Sequence, residues 1–218
     1  MLCNPIGDDA IRAHRPLRRL AERLVTAGFA VLRFDYHGTG DSEGDERQPE
    51  RVATWLEDVK FAVDELAERS GAESMALVGL RLGATLALAA AEASGVDRVV
   101  SWGGYARGRA FVTASSQFFR LHKKLEPRSF AGGPATREDG EEAFGFLLTH
   151  ETLADLWELD VRTPWTAARD PLRRPGARLR SVLLVGDGTG RAEQAILEEH
   201  LRSLDVSTEV RIVPGCLQ

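Results

Sequence analysis

Cysteine is nearly absent: Cys3 and Cys216, at opposite ends of the sequence, are the only two in 218 residues. Without a CxxC spacing or a second pair they point to neither a metal site nor a disulfide framework, so a reducing compartment is the default. A long apolar run is missing too. The longest, 84–91 with Thr85 inside it, is far short of the ~20 residues of a membrane span. Asp8, Asp9, Arg12 and Arg15 interrupt the first fifteen residues, where a secretory signal needs an unbroken apolar stretch. Positive charge is not in excess: 28 Lys and Arg against 33 Asp and Glu leave a net charge of −5 and a pI near 5.6. That balance argues against nucleic acid or an anionic membrane as a partner. The expectation is a cytoplasmic protein with no nucleic-acid and no membrane partner.

What is present is a globular composition. Apolar residues make up 43% and charged residues 28%, and the 21 Gly and nine Pro are scattered, which excludes collagen-like or low-complexity character. At roughly 150 residues per domain, 1–218 reads as a single domain with a sizeable core. Short β-rich runs at 1–3, 29–35, 74–79, 98–102, 181–186 and 208–213 alternate with helix-length amphipathic stretches. That rhythm predicts βαβ units, hence an α/β fold with a mostly parallel sheet and helices on both faces. Most of the runs are apolar on both faces, as buried parallel strands are.

The helices read at 10–27, 52–69, 82–93 and 192–204. The first two stop at Gly28 and Gly71, natural residues past a helix end. The third is almost wholly apolar and is expected to lie buried against the sheet. Residues 103–175 break the rhythm and are too long for an ordinary connection. They are read as a helical insertion, or lid, over the carboxyl edge of the sheet. No internal repeat is visible.

In an open parallel sheet the ligand site lies at the carboxyl ends of the strands. The turns found there are Asn4-Pro5-Ile6-Gly7, the loop from Asp35 to Ser42, Gly79-Leu80-Arg81-Leu82-Gly83, and Gly186-Asp187-Gly188-Thr189-Gly190. In this order they resemble the α/β-hydrolase superfamily over nearly the whole sequence. The apolar strand, Gly-x-x-x-Gly turn and Ala-rich helix of 76–91 look like its nucleophile elbow. Residues 34–42 are similar to its Asp-x-x-Gly-x-Gly-x-Ser loop. Within the superfamily the sequence looks most like the serine-aminopeptidase-like hydrolases, including those encoded beside exosortase systems. The resemblance implies that 4–7 supplies an oxyanion-hole amide and that Asp187 stands where the acid of a catalytic triad sits.

Two departures shape the functional reading. The centre of the elbow, which in such enzymes is Ser, Cys or Asp, is Arg81, and a guanidinium that stays protonated cannot be an acyl nucleophile. No His follows His200, although the family's general base lies in a loop after the last strand. The sequence also starts inside what looks like the family's third strand. Either a second subunit covers 29–35 as an exposed edge strand, or the sequence is a piece of a longer protein; a homodimer is the expectation.

Arg81 has two readings. As an anion site, it would converge with Asn4, Ile6, Gly7 and Leu82 on a carboxylate or phosphate at the opening of the 82–93 helix. As structure, it would pair internally with Asp187 or Asp35. His37 and Ser42, with Asp187, are the candidates for catalysis, and for His37, Asp41 and Ser42 the alternative is that they tie their own loop together. His14, His122 and His150 carry no motif.

The glycines of 186–190 lack the spacing of a dinucleotide fingerprint, with Arg191 in place of the third Gly and no acid ending the next strand. No cofactor and no metal is expected. Trp102, Tyr105, Phe111, Phe118, Phe119, Trp157 and Trp165 would line an apolar pocket under the lid or form the lid's own core. Three functions follow from these residues. The first is an α/β-hydrolase-fold protein with altered or lost serine-hydrolase chemistry that binds a small anionic or acyl ligand around Arg81. The second is an active hydrolase of esters, thioesters or amides with a nonstandard catalytic set. The third is a non-catalytic module that dimerises or recruits a partner by its edge strand.

Overall fold

The computed structural model describes residues 1–125, 140–143, 146–163, 165, 178–186 and 191–213. Five parallel strands form the central sheet: β1 (Leu2–Cys3), β2 (Ala76–Leu80), β3 (Arg98–Trp102), β6 (Ser181–Gly186) and β7 (Ser207–Ile212), in the spatial order β1-β2-β3-β6-β7. Between β1 and β2 run α1 (Asp8–Thr26) and α2 (Arg51–Ser70); α3 (Leu82–Ala90) joins β2 to β3, and α6 (Arg191–Ser203) joins β6 to β7. The strands at 98–102 and 181–186 match the sequence reading to the residue, because each is a compact apolar run. In β2 and β6 buried and half-buried positions alternate, so their two faces are not equally covered.

The winding of the chain places the site. From β1 it passes through α1 to residues 29–35 on the free side of β1, then returns through α2 to β2 on the other side. The carboxyl ends of β1 and β2 therefore flank the point where the direction of winding reverses, the place where open α/β sheets bind ligands.

Residues 29–35 are not the long edge strand that their composition suggests. They make one parallel bridge, Leu2 with Arg33, in which the Leu2 amide donates to the Leu32 carbonyl at 2.9 Å. The limit is β1, two residues long and followed by Asn4 and Pro5. The Asn4 side-chain amide, not a strand amide, donates to the Phe34 carbonyl at 2.6 Å, and Pro5 has no N–H with which to extend a ladder.

All nine residues of α3 are buried, as its apolar sequence requires, and α2 packs against it with Trp55 fully buried beside Tyr36. The segment between β3 and β6 holds α4 (Gly108–Leu125) and α5 (His150–Glu158), and also an antiparallel hairpin of β4 (Gly140–Ala143) and β5 (Phe146–Thr149) that the sequence did not signal. Thr149 ends the hairpin and caps α5, its hydroxyl accepting the Thr152 amide at 3.1 Å. Among the described residues, no helix is long and apolar enough to cross a membrane.

Candidate functional site

The site is built around one residue of turn. β2 ends at Leu80, α3 begins at Leu82, and Arg81 between them adopts φ 55° and ψ −123°, a region that side-chain-bearing residues rarely occupy and that costs of order 1–3 kcal/mol. The turn is held from both sides. The Arg81 amide donates to the Trp102 carbonyl of β3 at 2.8 Å, and the Arg81 carbonyl accepts the Ala84 amide at 3.0 Å. Its flanking glycines are required by contact. A Cβ on Gly79 would stand 2.4 Å from the Ala84 Cα, and one on Gly83 would stand 2.2 Å from the Asn4 carbonyl oxygen. The first glycine lets the helix fold back on the strand, and the second lets the 4–7 loop lie against the first turn of α3.

The Arg81 side chain, about one-third exposed, points Nε at Asp9 Oδ2 across 3.3 Å. Its guanidinium carbon lies 5.7 Å from the centroid of the Tyr105 ring, within cation–π range. Burial pushes the Tyr105 hydroxyl above its usual pKa, against the opposing charge of Arg81. Among the described residues the carboxylate beside Arg81 is that of Asp9, from the first turn of α1. Asp35 accepts instead from Asn4 and the Asp41 amide, and Asp187, the other partner expected for Arg81, lies outside the described residues.

Arg81 borders a cavity of about 730 Å³. One wall is α1 with the loop before it, from Ile6 and Gly7 through Asp9, Arg12 and Leu17 to Leu20; the opposite wall is Phe111, Ala114 and Ser115 of α4 with Leu148 of β5. Leu80, Trp102 and Tyr105 close the end at the sheet. Arg12 is itself held by Asp8, Nε to Oδ2, at 2.7 Å. On its other side Arg81 touches a small cavity of about 70 Å³ shared with Ser101, Glu193 and Gln194.

Among the sequence-derived candidates, Arg81, Ile6 and Gly7 meet at the large cavity, as do Trp102, Tyr105 and Phe111. The Leu82 side chain is fully buried in the core. Asn4 faces the other way, onto Phe34 and Asp35. His37 and Ser42 border neither cavity. The His37 amide donates to Asp58 Oδ2 at 2.7 Å and its ring Nε2 meets Gln48 Oε1 at 2.5 Å, while the Ser42 hydroxyl donates to the Asp35 carbonyl at 2.6 Å. Burial raises the Asp58 carboxyl above the usual range, and the His37 amide works against it. Asp187, Phe118 and Phe119 lie outside the described residues and side chains. Trp157 is half exposed and Trp165 packs on the core. Asp9, Arg12 and Ser115 border the cavity without having been singled out, because on sequence alone they read as ordinary helix surface. No group of His, Cys, Asp or Glu among the described residues is arranged to hold a metal ion.

The geometry is that of an α/β-hydrolase, and the comparisons place it within one family. Residues 13–195 match the family described as serine aminopeptidase, S33, and the chain belongs to it. A stretch of 47 residues is 49% identical to the quorum-quenching protein AidA of Acinetobacter baumannii, covering 22% of this chain and 16% of that protein. Est1E of Butyrivibrio proteoclasticus, solved with ferulic acid bound, superposes with a TM-score of 0.58 at 16% identity over 92% of this chain and 74% of its own. Alpha/beta hydrolase domain-containing protein 10 from mouse gives a TM-score of 0.51 at 18% identity over 97% and 76%. At these identities the two structures establish the fold alone.

Proposed function

We propose that this chain binds a small amphipathic anion, an acyl carboxylate or an acyl group carried on a phosphate, in the cavity against Arg81, and that the ordinary serine-hydrolase chemistry of its family is lost or altered. The observation that carries this reading is the side chain at the strained turn. A guanidinium there cannot attack a carbonyl, but it offers several N–H donors in the planar fork that matches a carboxylate or phosphate. Arg81 immediately precedes α3, whose N-terminal dipole favours negative charge. Leu17, Leu20, Phe111 and Leu148 supply an apolar wall for an acyl chain. Asp9 stands beside Arg81, so an incoming anion competes with it.

Turnover of an ester, thioester or amide by His37, Ser42 or Asp187 would need those groups at the cavity. His37 and Ser42 are instead engaged within their own loop.

The test is the thermal midpoint of wild type and Arg81→Ala against a panel of acyl carboxylates, organic phosphates and acyl thioesters, with a fluorogenic ester assay in parallel. A ligand at a hundred times its Kd adds about 2.7 kcal/mol, several degrees for a domain of this size. The expected result is an upward shift for wild type alone with no ester turnover. Ester turnover that survives Arg81→Ala would overturn the reading.

A further inference from the structure

The sheet edge farthest from residues 29–35 is β7, and among the described residues no strand pairs with its outer side. It is exposed almost throughout, including the apolar side chains of Val210 and Ile212. Edges of this kind are normally covered, charged or paired.

The hydrogen-bond register states which groups face outward. The amides of Ser207 and Val213 donate inward to Arg180 and Gly186, so the odd-numbered residues bond toward β6. The amides and carbonyls of Thr208, Val210 and Ile212 consequently point away from the sheet, because successive residues of a strand alternate their bonding sides. A second strand can be added only through these three.

Charge then selects the partner and the register. Glu209 and Arg211 flank Val210 and are both well exposed, and among the described residues they pair with each other along the strand at 2.6 Å. An antiparallel copy of β7 related by a two-fold axis at Val210 bonds Val210 to its symmetry mate and Thr208 to Ile212 of the other copy. It also sets Glu209 directly opposite Arg211 of the other copy, twice, at the close non-hydrogen-bonded positions. Sliding the copy by one step of the two-fold in either direction sets Glu209 against Glu209, or Arg211 against Arg211. Opposite charges are therefore satisfied in one register and like charges oppose in its two neighbours.

We propose that the β7 edge is a self-association surface through which two copies of this chain join their sheets antiparallel about Val210. The edge is isologous, as a two-fold dimer requires. It lies away from the Arg81 cavity, so it neither needs nor alters the proposed ligand site.

The test is molar mass by light scattering, across a dilution series, for wild type, Glu209→Arg, Arg211→Glu and the double exchange. Wild type is expected to show twice the monomer mass on concentration. Each single reversal places two like-charge pairs at the joint and should leave monomer, whereas the double exchange restores opposite pairs and should restore the dimer. Val210→Pro removes an outward N–H that β6 does not use, so it should also give monomer, with a circular dichroism spectrum unchanged from wild type. Wild type that is monomeric at every concentration overturns the proposal. So does a dimer indifferent to both single reversals, which would place the joint elsewhere.

Discussion

Arg81 at the strained turn before α3 and Asp9 in the first turn of α1 are joined across the mouth of the cavity, Nε to Oδ2 at 3.3 Å. The first turn of α1 is thereby tied by an ion pair to the turn that precedes α3. Asp9 also serves its own helix, where a carboxylate in the first turn complements the dipole.

Replacing Asp9 by Asn separates these roles. Both partners are about one-third exposed, so the pair contributes little to stability, about 0.2–1 kcal/mol. Affinity for an acyl carboxylate should rise, because the Asp9 carboxylate no longer competes for the Arg81 guanidinium. Titration of Asp9→Asn with octanoate checks this; affinity equal to or below that of wild type would show that Asp9 does not compete.

The glycines of the turn answer to contact rather than charge. Gly83→Ala drives a methyl group into two main-chain carbonyl oxygens, those of Asn4 and Cys3 at 2.2 and 2.5 Å. Neither can rotate away, so a loss of about 3 kcal/mol is expected in urea unfolding, at the upper end for overpacking. Gly7→Ala is the control: a Cβ there meets nothing within 4 Å, although φ is +75°, so only backbone strain of about 1 kcal/mol opposes it.

Arg51 ties three segments together. It is buried, donates through Nη1 to the carbonyls of Glu46 at 2.9 Å and Leu147 at 3.0 Å, and lies over the Trp55 ring at 4.8 Å. Burial lowers its pKa, and Glu46 and Asp45 partly oppose that. Arg51→Met keeps the stem and leaves two carbonyls without a donor, which should cost about 2 kcal/mol or more. Arg51→Lys should rescue only part of it, because a point ammonium cannot reproduce the planar fork or its stacking on Trp55. Urea midpoints of the two variants check the order.

Alkaline pH acts on the floor of the sheet. Burial pushes the Cys3 thiol up from 9.0 to about 12, and the neighbouring Tyr36 hydroxyl is pushed up as well. A group whose folded pKa exceeds its unfolded one keeps its proton longer in the native state. Its contribution is complete below the unfolded value and is lost as pH rises through the folded value. Stability should therefore fall from about pH 9 upward. Cys3→Val should flatten part of that fall, seen as a smaller drop in urea midpoint between neutral pH and about pH 10.5. An unchanged drop would assign the effect to Tyr36 and other groups.

Legibility of the sequence followed the locality of each signal. Helix ends at Gly28 and Gly71 were readable because a positive φ there is a local demand. The strands at 98–102 and 181–186 were readable from their apolar runs. Residues 29–35 looked like a strand on the same grounds, but pairing depends on β1, which offers only two residues before Pro5. The hairpin at 140–149 gave no signal because Glu141 and Glu142 stand where an apolar alternation would be. Part of what holds it lies far away in sequence, Ser116 of α4 donating to Glu141 Oε2 at 2.9 Å.

In the site, Arg81, Ile6 and Gly7 were visible because strand ends in a parallel sheet are where ligands bind. Asp9, Arg12 and Ser115 were not, since which face of a helix looks into a cavity is decided by tertiary packing. His37 and Ser42 lie on a strand-end loop as read, and the loop's turn back onto Gln48 and Asp58 carries them away from the cavity.

The central claim is that Arg81 is the anion-binding residue of this fold, and calorimetric titration of octanoate into wild type and Arg81→Met tests it most directly. The substitution keeps an unbranched stem at the strained turn and removes the charge, and circular dichroism confirms that each protein is folded before titration. The account predicts saturable binding to wild type that weakens at least tenfold in Arg81→Met, about 1.4 kcal/mol for one charge-assisted contact. Equal affinity in the two proteins would contradict it and make Arg81 a structural partner of Asp9 and Tyr105.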